Sequence, residues 1–315
     1  MAATGAGVSG IAVIVNPLAG GARAGRLWQE LQPRAERLAP VDARVPESAP
    51  AARAAVRDAL ARGAERVVAV GGDGTIHLVA GELLAAGAGE TVTLGIVPAG
   101  TGSDLARALA IPRAPARALE RALLGPPRPI DAGACSGAAA SFSFVNVASA
   151  GLGGMVDEIV NAMPRRGLTA FVRGTVRALR RYRCVPVQVE LDGATWFEGR
   201  ILLLAAANGV SFGKGMKAAP NARLDDGLFD VVLVTEVGGF ELLRKLPLVY
   251  FGRHLGLEQV RVARARTVQL RPLAPLPVFD ADGETYPSGE ATFVVRPAAL
   301  RVAGPVAPPR ERPER

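Results

Sequence analysis

The sequence predicts a two-part architecture. An N-terminal α/β domain with a parallel sheet spans residues 10–131, a mostly antiparallel β domain spans 132–304, and the active site lies in the cleft between them. Three observations predict this. Short β-branched runs alternate with helical stretches as far as Asp131, the pattern of parallel βαβ units. Beyond Asp131, β-rich segments dominate. The chain has 315 residues, enough for two domains at roughly 150 residues each.

The elements follow in order. Residues 1–9 are small and polar and read as a disordered tail, as does the Pro/Arg-rich stretch 305–315. GIAVIVN, from Gly10 to Asn16, is short, β-branched and closed by Asn-Pro, so it reads as a buried strand. A helix follows to about Leu38, then a strand at Val41–Val45 and a helix at Pro50–Ala61. Arg66–Val70 and Thr93–Val97 read as strands, and Thr75–Ala86 and Ser103–Ala110 as helices. In the second half, strands are expected at 141–148, 184–192, 196–207, 228–235, 259–271 and 291–296. Helices are expected at about 155–182 and 239–250.

Composition narrows the function. Apolar residues make up 49 % and charged residues 21 %, which is a core-forming composition and not that of a disordered chain. The net charge of +8 favours anionic partners. Aromatic residues make up only 5 %, against a single-strand binder that stacks bases, and no nucleic-acid partner is expected. Cys135 and Cys184 form neither a CxxC nor a zinc spacing and read as thiols in a reducing cytoplasm. His77 and His254 are the only histidines, which excludes a His-rich metal site. The N-terminus lacks a basic region before its first apolar stretch, so it does not read as a signal peptide. The longest strong apolar run, Ile201–Ala207, falls far short of the ~20 residues of a membrane span. Membrane contact is therefore expected to be peripheral, at the inner face.

Three loops at strand ends carry the chemistry. Gly71-Gly72-Asp73-Gly74-Thr75 joins a strand to a helix start, where glycines admit a phosphate and the helix N-terminus offers free N–H groups and a positive dipole. A carboxylate there, Asp73, makes sense if Mg²⁺ bridges it to a nucleotide; the plain alternative is a turn with a helix cap. Pro98-Ala99-Gly100-Thr101-Gly102-Ser103-Asp104 repeats the logic, with Thr101 as a hydroxyl donor and Ser103 or Asp104 as a cap. Asn16-Pro17-Leu18-Ala19-Gly20-Gly21 follows the first strand. Together they form one nucleotide site. No GxxxxGK[ST] is present, so the chain is not a P-loop NTPase.

These residues resemble the bacterial diacylglycerol kinase family of lipid kinases, relatives of the sphingosine kinases; the NAD kinases share the GGDGT loop and the fold. Asn208, Gly213-Lys214-Gly215, the run from Ala219 through Pro220-Asn221-Ala222 to Asp225-Asp226-Gly227-Leu228-Phe229-Asp230, and Asp282-Gly283-Glu284 are similar to the lipid-kinase pattern. The resemblance covers about 10–304. It implies ATP-dependent phosphoryl transfer to a lipid hydroxyl such as that of diacylglycerol, with Asp282 as general base; the plain reading of Asp282-Gly283 is a β-hairpin turn. It places nucleotide contacts at Asn16, Gly71, Gly72, Asp73, Gly74, Thr75, Ile76, His77, Thr101 and Glu284. It implies a structural Mg²⁺ on the Asp226 carboxylate with the carbonyls of Arg223 and Leu228, where the plain reading is an Asp-Gly turn. It admits a homodimer. The chain departs from the family pattern at His77 and Leu78, where Asn-Glu is usual, and at Ser103, where Asn is usual.

Rival readings are an NAD kinase, a catalytically weak lipid- or nucleotide-binding relative, and a serine hydrolase. The hydrolase rests on Gly209-Val210-Ser211-Phe212-Gly213 followed by Asp226 or Asp230 and His254; Gly213, Gly215 and Pro220 stand where it needs a helix. Gly5-Ala6-Gly7-Val8-Ser9-Gly10 spells GxGxxG without the required strand before it. Finally, Ile159–Val189 holds no acidic residue and seven arginines: 165, 166, 173, 177, 180, 181 and 183. On a helix, Arg173, Arg177, Arg180 and Arg181 share an arc opposite Leu168, Phe171, Val172, Val176 and Leu179. The apolar face is expected to pack on the β domain. The basic face reads either as a solvated surface or as a dock for anionic phospholipid.

Overall fold

The computed structural model describes residues 10–100, 102–163, 168–213 and 215–306. The tail at 1–9, the last residues of the tail at 305–315, Thr101, Lys214, Arg165 and Arg166 lie outside the described residues.

The first half alternates as expected: β1 (Ile11–Val15), α1 (Ala19–Leu38), β2 (Asp42–Arg44), α2 (Ala49–Ala61), β3 (Arg66–Gly71), α3 (Asp73–Ala85), β4 (Thr93–Pro98), α4 (Asp104–Ala108) and α5 (Pro115–Leu124). The strands run parallel in the order β4-β3-β1-β2. Alternate side chains of the sheet face opposite layers, so helices cover both sides. Ala12, Ile14, Val67 and Leu94 meet α2 and α3, while Val13, Val15, Val68 and Val70 meet α1 and α5. Helix α5 was not expected; its Ala/Arg-rich sequence carries few apolar markers. Burial of Ala118, Leu119, Ala122 and Leu123 against the sheet holds it in place.

The second half comprises β5 (Pro127–Gly137), β6 (Ser141–Phe144), β7 (Val147–Gly151), α6 (Leu152–Asn161), α7 (Leu168–Arg181), β8 (Val185–Leu191), β9 (Ala194–Ala207), β10 (Phe229–Thr235), α8 (Gly239–Lys245), α9 (Pro247–Tyr250), β11 (Val260–Ala265), β12 (Thr267–Pro272), β13 (Phe279–Ala281), β14 (Glu284–Tyr286) and β15 (Ala291–Ala303). All strand pairs within it are antiparallel among the described residues. The expected helix at 155–182 is two helices, and the expected strand at 259–271 is two strands broken at Arg266. Phe144, Phe229, Phe279 and Phe293 form the aromatic centre of this half, with ring centroids 5.6–6.4 Å apart along the chain of contacts.

The strongest departure from expectation is β15. It was expected to end at residue 296 yet continues to Ala303, where Arg301 and Val302 pair in parallel with Thr93 and Leu94 of β4. Strand β5 lies antiparallel along the whole of β15, from Ala291↔Gly137 to Ala303↔Pro127. The C-terminal strand therefore returns to the first domain and makes one continuous sheet of both halves. β5 was missed because Pro, Gly and Ala are poor strand formers. Its partner supplies what its sequence lacks: Gly133 sits opposite Phe144, whose ring occupies the space a side chain on Gly133 would need.

Candidate active site

The three glycine loops meet backbone to backbone. A Cβ on Gly20, whose φ is +63°, would collide with the Ala99 carbonyl, and one on Gly102 with the Asp73 carboxylate. Gly72 and Gly100 face each other in the same way. Among the described residues, 16–21, 71–75, 98–100 and 102–104 thus form one surface at the carboxyl ends of β1, β3 and β4. Asn16 fixes the first contact: its Nδ2 donates to Thr75 Oγ1 at 3.0 Å, while its Oδ1 accepts from Leu18 N–H.

Asp73 ties two loops together. Its Oδ2 accepts from Ser103 N–H at 2.6 Å and its Oδ1 from Asp104 N–H at 3.0 Å. The cap of α4 therefore comes from the neighbouring loop. Neither Ser103 nor Asp104 supplies it, because Ser103 is left-handed at φ 58° and makes no cap bond. The Asp104 carboxylate points the other way, to Arg107 and to Ser211 Oγ at 2.9 Å. Burial, then the charge of Asp104, raises the Asp73 pKa above its ordinary value, against the two N–H bonds. Ile76 is only 1 % exposed and packs in the core. Leu78, at 8 %, lies in the same core, which explains an apolar residue at a position where the family pattern has Glu.

The second half adds the β13–β14 hairpin. Asp282 and Gly283 form its turn, as expected, and Asp282 takes the left-handed conformation at φ 54°. The turn presents its carboxylate to the start of β7. Oδ1 accepts from Asn146 N–H (2.9 Å) and Val147 N–H (3.0 Å), and Oδ2 from Val145 N–H at 2.8 Å. His77, one turn into α3, completes the set: its Nδ1 lies 3.1 Å from Asp282 Oδ2 and its Nε2 lies 2.9 Å from the Tyr286 hydroxyl. The ring of His77 thus faces the hairpin. Sequence reasoning grouped it with the nucleotide loop and missed Tyr286, because the pairing joins residues 209 positions apart. Glu284 crosses to the first domain, with Oε1 3.1 Å from where a Cβ on Gly74 would stand.

The segment that wraps Asp282 is itself bolted from behind. Asn208 is fully buried, and its Nδ2 donates to the carbonyls of Asp131 (2.9 Å) and Val145 (2.7 Å). Asn146 donates to Ser211 O. This arrangement rules out the hydrolase reading: Ser211 bonds Asp104, while His254 Nε2 bonds the Ala218 carbonyl.

The loop expected to hold a structural ion is organised otherwise. Asp226 Oδ1 accepts from Leu228 N–H, and its Oδ2 pairs with the Arg264 guanidinium, which also lies 3.9 Å from Asp230. Asp131 ties the same loop to β15, its Oδ2 accepting from Gly227 N–H and its Oδ1 from Ala298 N–H. As arranged, Asp226 with Arg223 and Leu228 does not fit an ion, because the positive charge facing the carboxylate is Arg264. No cluster of three metal-ligating side chains occurs among the described residues.

On α7, Arg173, Arg177 and Arg181 are exposed at one-turn spacing, while Gly174, Thr175 and Ala178 are buried. The side chains of Arg180, Leu168, Phe171, Val172 and Leu179 lie outside the described residues. The buried side of α7 packs on α6: Ala178 meets Val156 and Val160, and Gly174 brings the two backbones close. The partner, α6, belongs to the second half of the chain, on which the apolar face of α7 was expected to pack. No helix of the described residues is long and apolar enough to cross a membrane.

The family model described as diacylglycerol kinase catalytic domain matches residues 10–135, and that described as YegS C-terminal NAD kinase beta sandwich-like domain matches 146–304. The chain is similar to a Mycobacterium tuberculosis protein named diacylglycerol kinase, 32 % identical over 81 % of each chain. It is also similar to a Pseudomonas aeruginosa protein named "Probable lipid kinase YegS-like", 37 % identical over 83 % of this chain and 84 % of that one. Its fold is similar to the crystal structure of a diacylglycerol kinase from Bacillus anthracis, with TM-score 0.71 and 19 % identity over 93 % and 96 % of the two chains.

Proposed function

The chain belongs to the diacylglycerol kinase family of lipid kinases, and from that premise we propose that it transfers the γ-phosphoryl group of MgATP to the hydroxyl of a membrane lipid, with Asp282 as the general base. The observation that carries the reading is the placement of Asp282. A turn from the second domain delivers this carboxylate to His77, one turn into α3, the helix that begins within the Gly71–Thr75 loop.

In this reading the glycine loops and the free N–H groups at the start of α3 cradle the nucleotide phosphates. Asp73 holds the 98–104 loop against them. The lipid oxygen attacks the γ-phosphorus, its proton passes to Asp282, and the bond to the β-phosphate oxygen breaks to release ADP. Mg²⁺ bound to the nucleotide would offset its negative charge. Diacylglycerol is the first acceptor to test, since the similar M. tuberculosis protein is named for it.

The lipid must be met at a bilayer. The exposed stripe of Arg173, Arg177 and Arg181 on α7 suits an anionic surface, where each basic residue contributes about 1 kcal/mol. In this reading the protein works at the inner face of the membrane as a peripheral protein.

The test is transfer of label from γ-labelled ATP to a panel of lipids presented in vesicles, with NAD in parallel. Label in a lipid product supports the reading. Label in NAD alone, or in no acceptor, overturns it.

A further inference from the structure

His77 is 6 % exposed, and both of its ring nitrogens are engaged at the candidate site. Asp282 offers two oxygens with about four lone-pair sites. Three backbone N–H groups and His77 Nδ1 already point at them. An incoming hydroxyl must therefore take the place of one donor. The backbone donors are fixed, because Asn208 pins the Val145 carbonyl and the Asn146 carbonyl accepts from the N–H groups of Asn208 and Gly209. His77 is a side chain and can yield.

We infer that His77 is the positioning residue of Asp282: as a neutral imidazole it orients the carboxylate and gives way to the lipid hydroxyl, and as an imidazolium it holds the carboxylate and stops transfer. This rests on the reading of Asp282 as the base. The chemistry of the chain Tyr286–His77–Asp282 fixes the protons. The carboxylate only accepts, so Nδ1 carries a proton. Burial first, then Glu284 and Asp282, pushes the Tyr286 hydroxyl up to about 12, so it stays protonated and donates to Nε2 of the neutral ring. A proton added to Nε2 turns the Nδ1 contact, already a bond to an ionised acceptor, into an ion pair with charge on both partners, and the Tyr286 hydroxyl then accepts from Nε2–H.

The surroundings set where the switch lies. Burial disfavours the charged ring, but the hydrogen bond and charge of Asp282, helped by Glu284, outweigh burial and the opposing charge of Arg53 on α2, so the pKa of His77 is raised above 6.5. Strand β6, packed on the same helix, carries no charge, and Phe142 stacks on Tyr286 with centroids 4.2 Å apart. Arg66 of β3 is turned to the carbonyls of Ala122 and Gly125, and Arg296 and Arg301 of β15 are exposed. Activity and stability then respond to pH in opposite directions. A raised histidine pKa stabilises the fold below the ordinary value of 6.5, and that contribution is lost as pH rises through the folded value. Activity appears over the same window.

The experiment compares wild type with His77→Asn, which keeps an N–H donor and does not titrate, and with Asp282→Asn. The full-length proteins are checked for folding by thermal melting. Proton NMR reads His77 directly, since the chain has only two histidines and the resonance lost in His77→Asn is His77. Label transfer to lipid vesicles is followed from pH 5 to 9. The inference expects wild-type kcat/KM to fall about tenfold per pH unit below the NMR-determined pKa of His77. It expects that limb to vanish in His77→Asn, which turns over more slowly at pH 8, and the His77 pKa to drop in Asp282→Asn. A limb that persists in folded His77→Asn, or a His77 titration indifferent to Asp282→Asn, overturns it while leaving the kinase reading intact. No transfer by wild type at any pH defeats the kinase reading and this one with it.

Discussion

Replacing Asn208 by Leu removes the bolt behind the base. The Nδ2 group serves two carbonyls that the strands leave unpaired: Asp131 lies at the shift of register between β5 and β15, and Val145 lies between β6 and β7. Each buried carbonyl left without a donor costs about 1–3 kcal/mol. One gain opposes this, because Asn208 Oδ1 is itself buried without a hydrogen-bond partner and Leu abolishes it. Two losses against one gain leave a net cost of about 1–3 kcal/mol. For a domain of this half's size that lowers the melting temperature by about 2–4 °C per kcal/mol. Asn208→Asp is worse, since it sets a carboxylate oxygen against two carbonyl oxygens in the interior. Lipid phosphorylation falls in both, because the Val145–Val147 N–H groups lose their anchor. The exposed Asn221, changed to Leu, stays within about 0.5 kcal/mol of wild type. Urea melts and label transfer on the three variants decide the matter. An Asn208→Leu protein as stable and as active as wild type would refute the reasoning.

Leu78→Glu loses at least about 2 kcal/mol of stability, because the side chain sits in the core of the first domain; a urea melt reads this, and restoring the family's usual residue does not raise activity in the folded fraction. Changing Arg173, Arg177 and Arg181 together to Gln weakens sedimentation with anionic vesicles by about 10²-fold at low salt and leaves the weak binding to zwitterionic vesicles unchanged. Binding that ignores lipid charge contradicts the docking role of α7. Asp73→Asn raises the KM for MgATP, since one of its two bonds to the 98–104 loop is lost; an unchanged KM places the nucleotide elsewhere.

Local signals made the first domain legible. The β-branched runs, the glycine loops and the strand–loop–helix order fixed β1 to β4, and the Asp282-Gly283 turn was read from its dipeptide. What escaped the sequence is what depends on distant partners. β5 is strand only because β15 lies along it, and β15 crosses back to β4 after an interruption that read as its end. The cap of α4 is Asp73, thirty residues away in the chain, where a local cap from Ser103 or Asp104 was the natural expectation. Arg264 reaches Asp226 across 38 positions, a pairing that neither the Asp-Gly turn nor the family resemblance pointed to. His77 looked like a departure within a nucleotide loop until the fold set Asp282 and Tyr286 on either side of its ring.

The most direct measurement is a side-by-side comparison of wild type and Asp282→Asn for nucleotide binding and for transfer of the γ-phosphoryl group to lipid in vesicles. Asp282 lies behind the glycine loops and takes no part in them, so the variant is predicted to bind MgATP with wild-type affinity while its transfer rate falls by about 10²–10⁴. A folded Asp282→Asn protein that transfers phosphoryl at a near wild-type rate would contradict the assignment of Asp282 as the base.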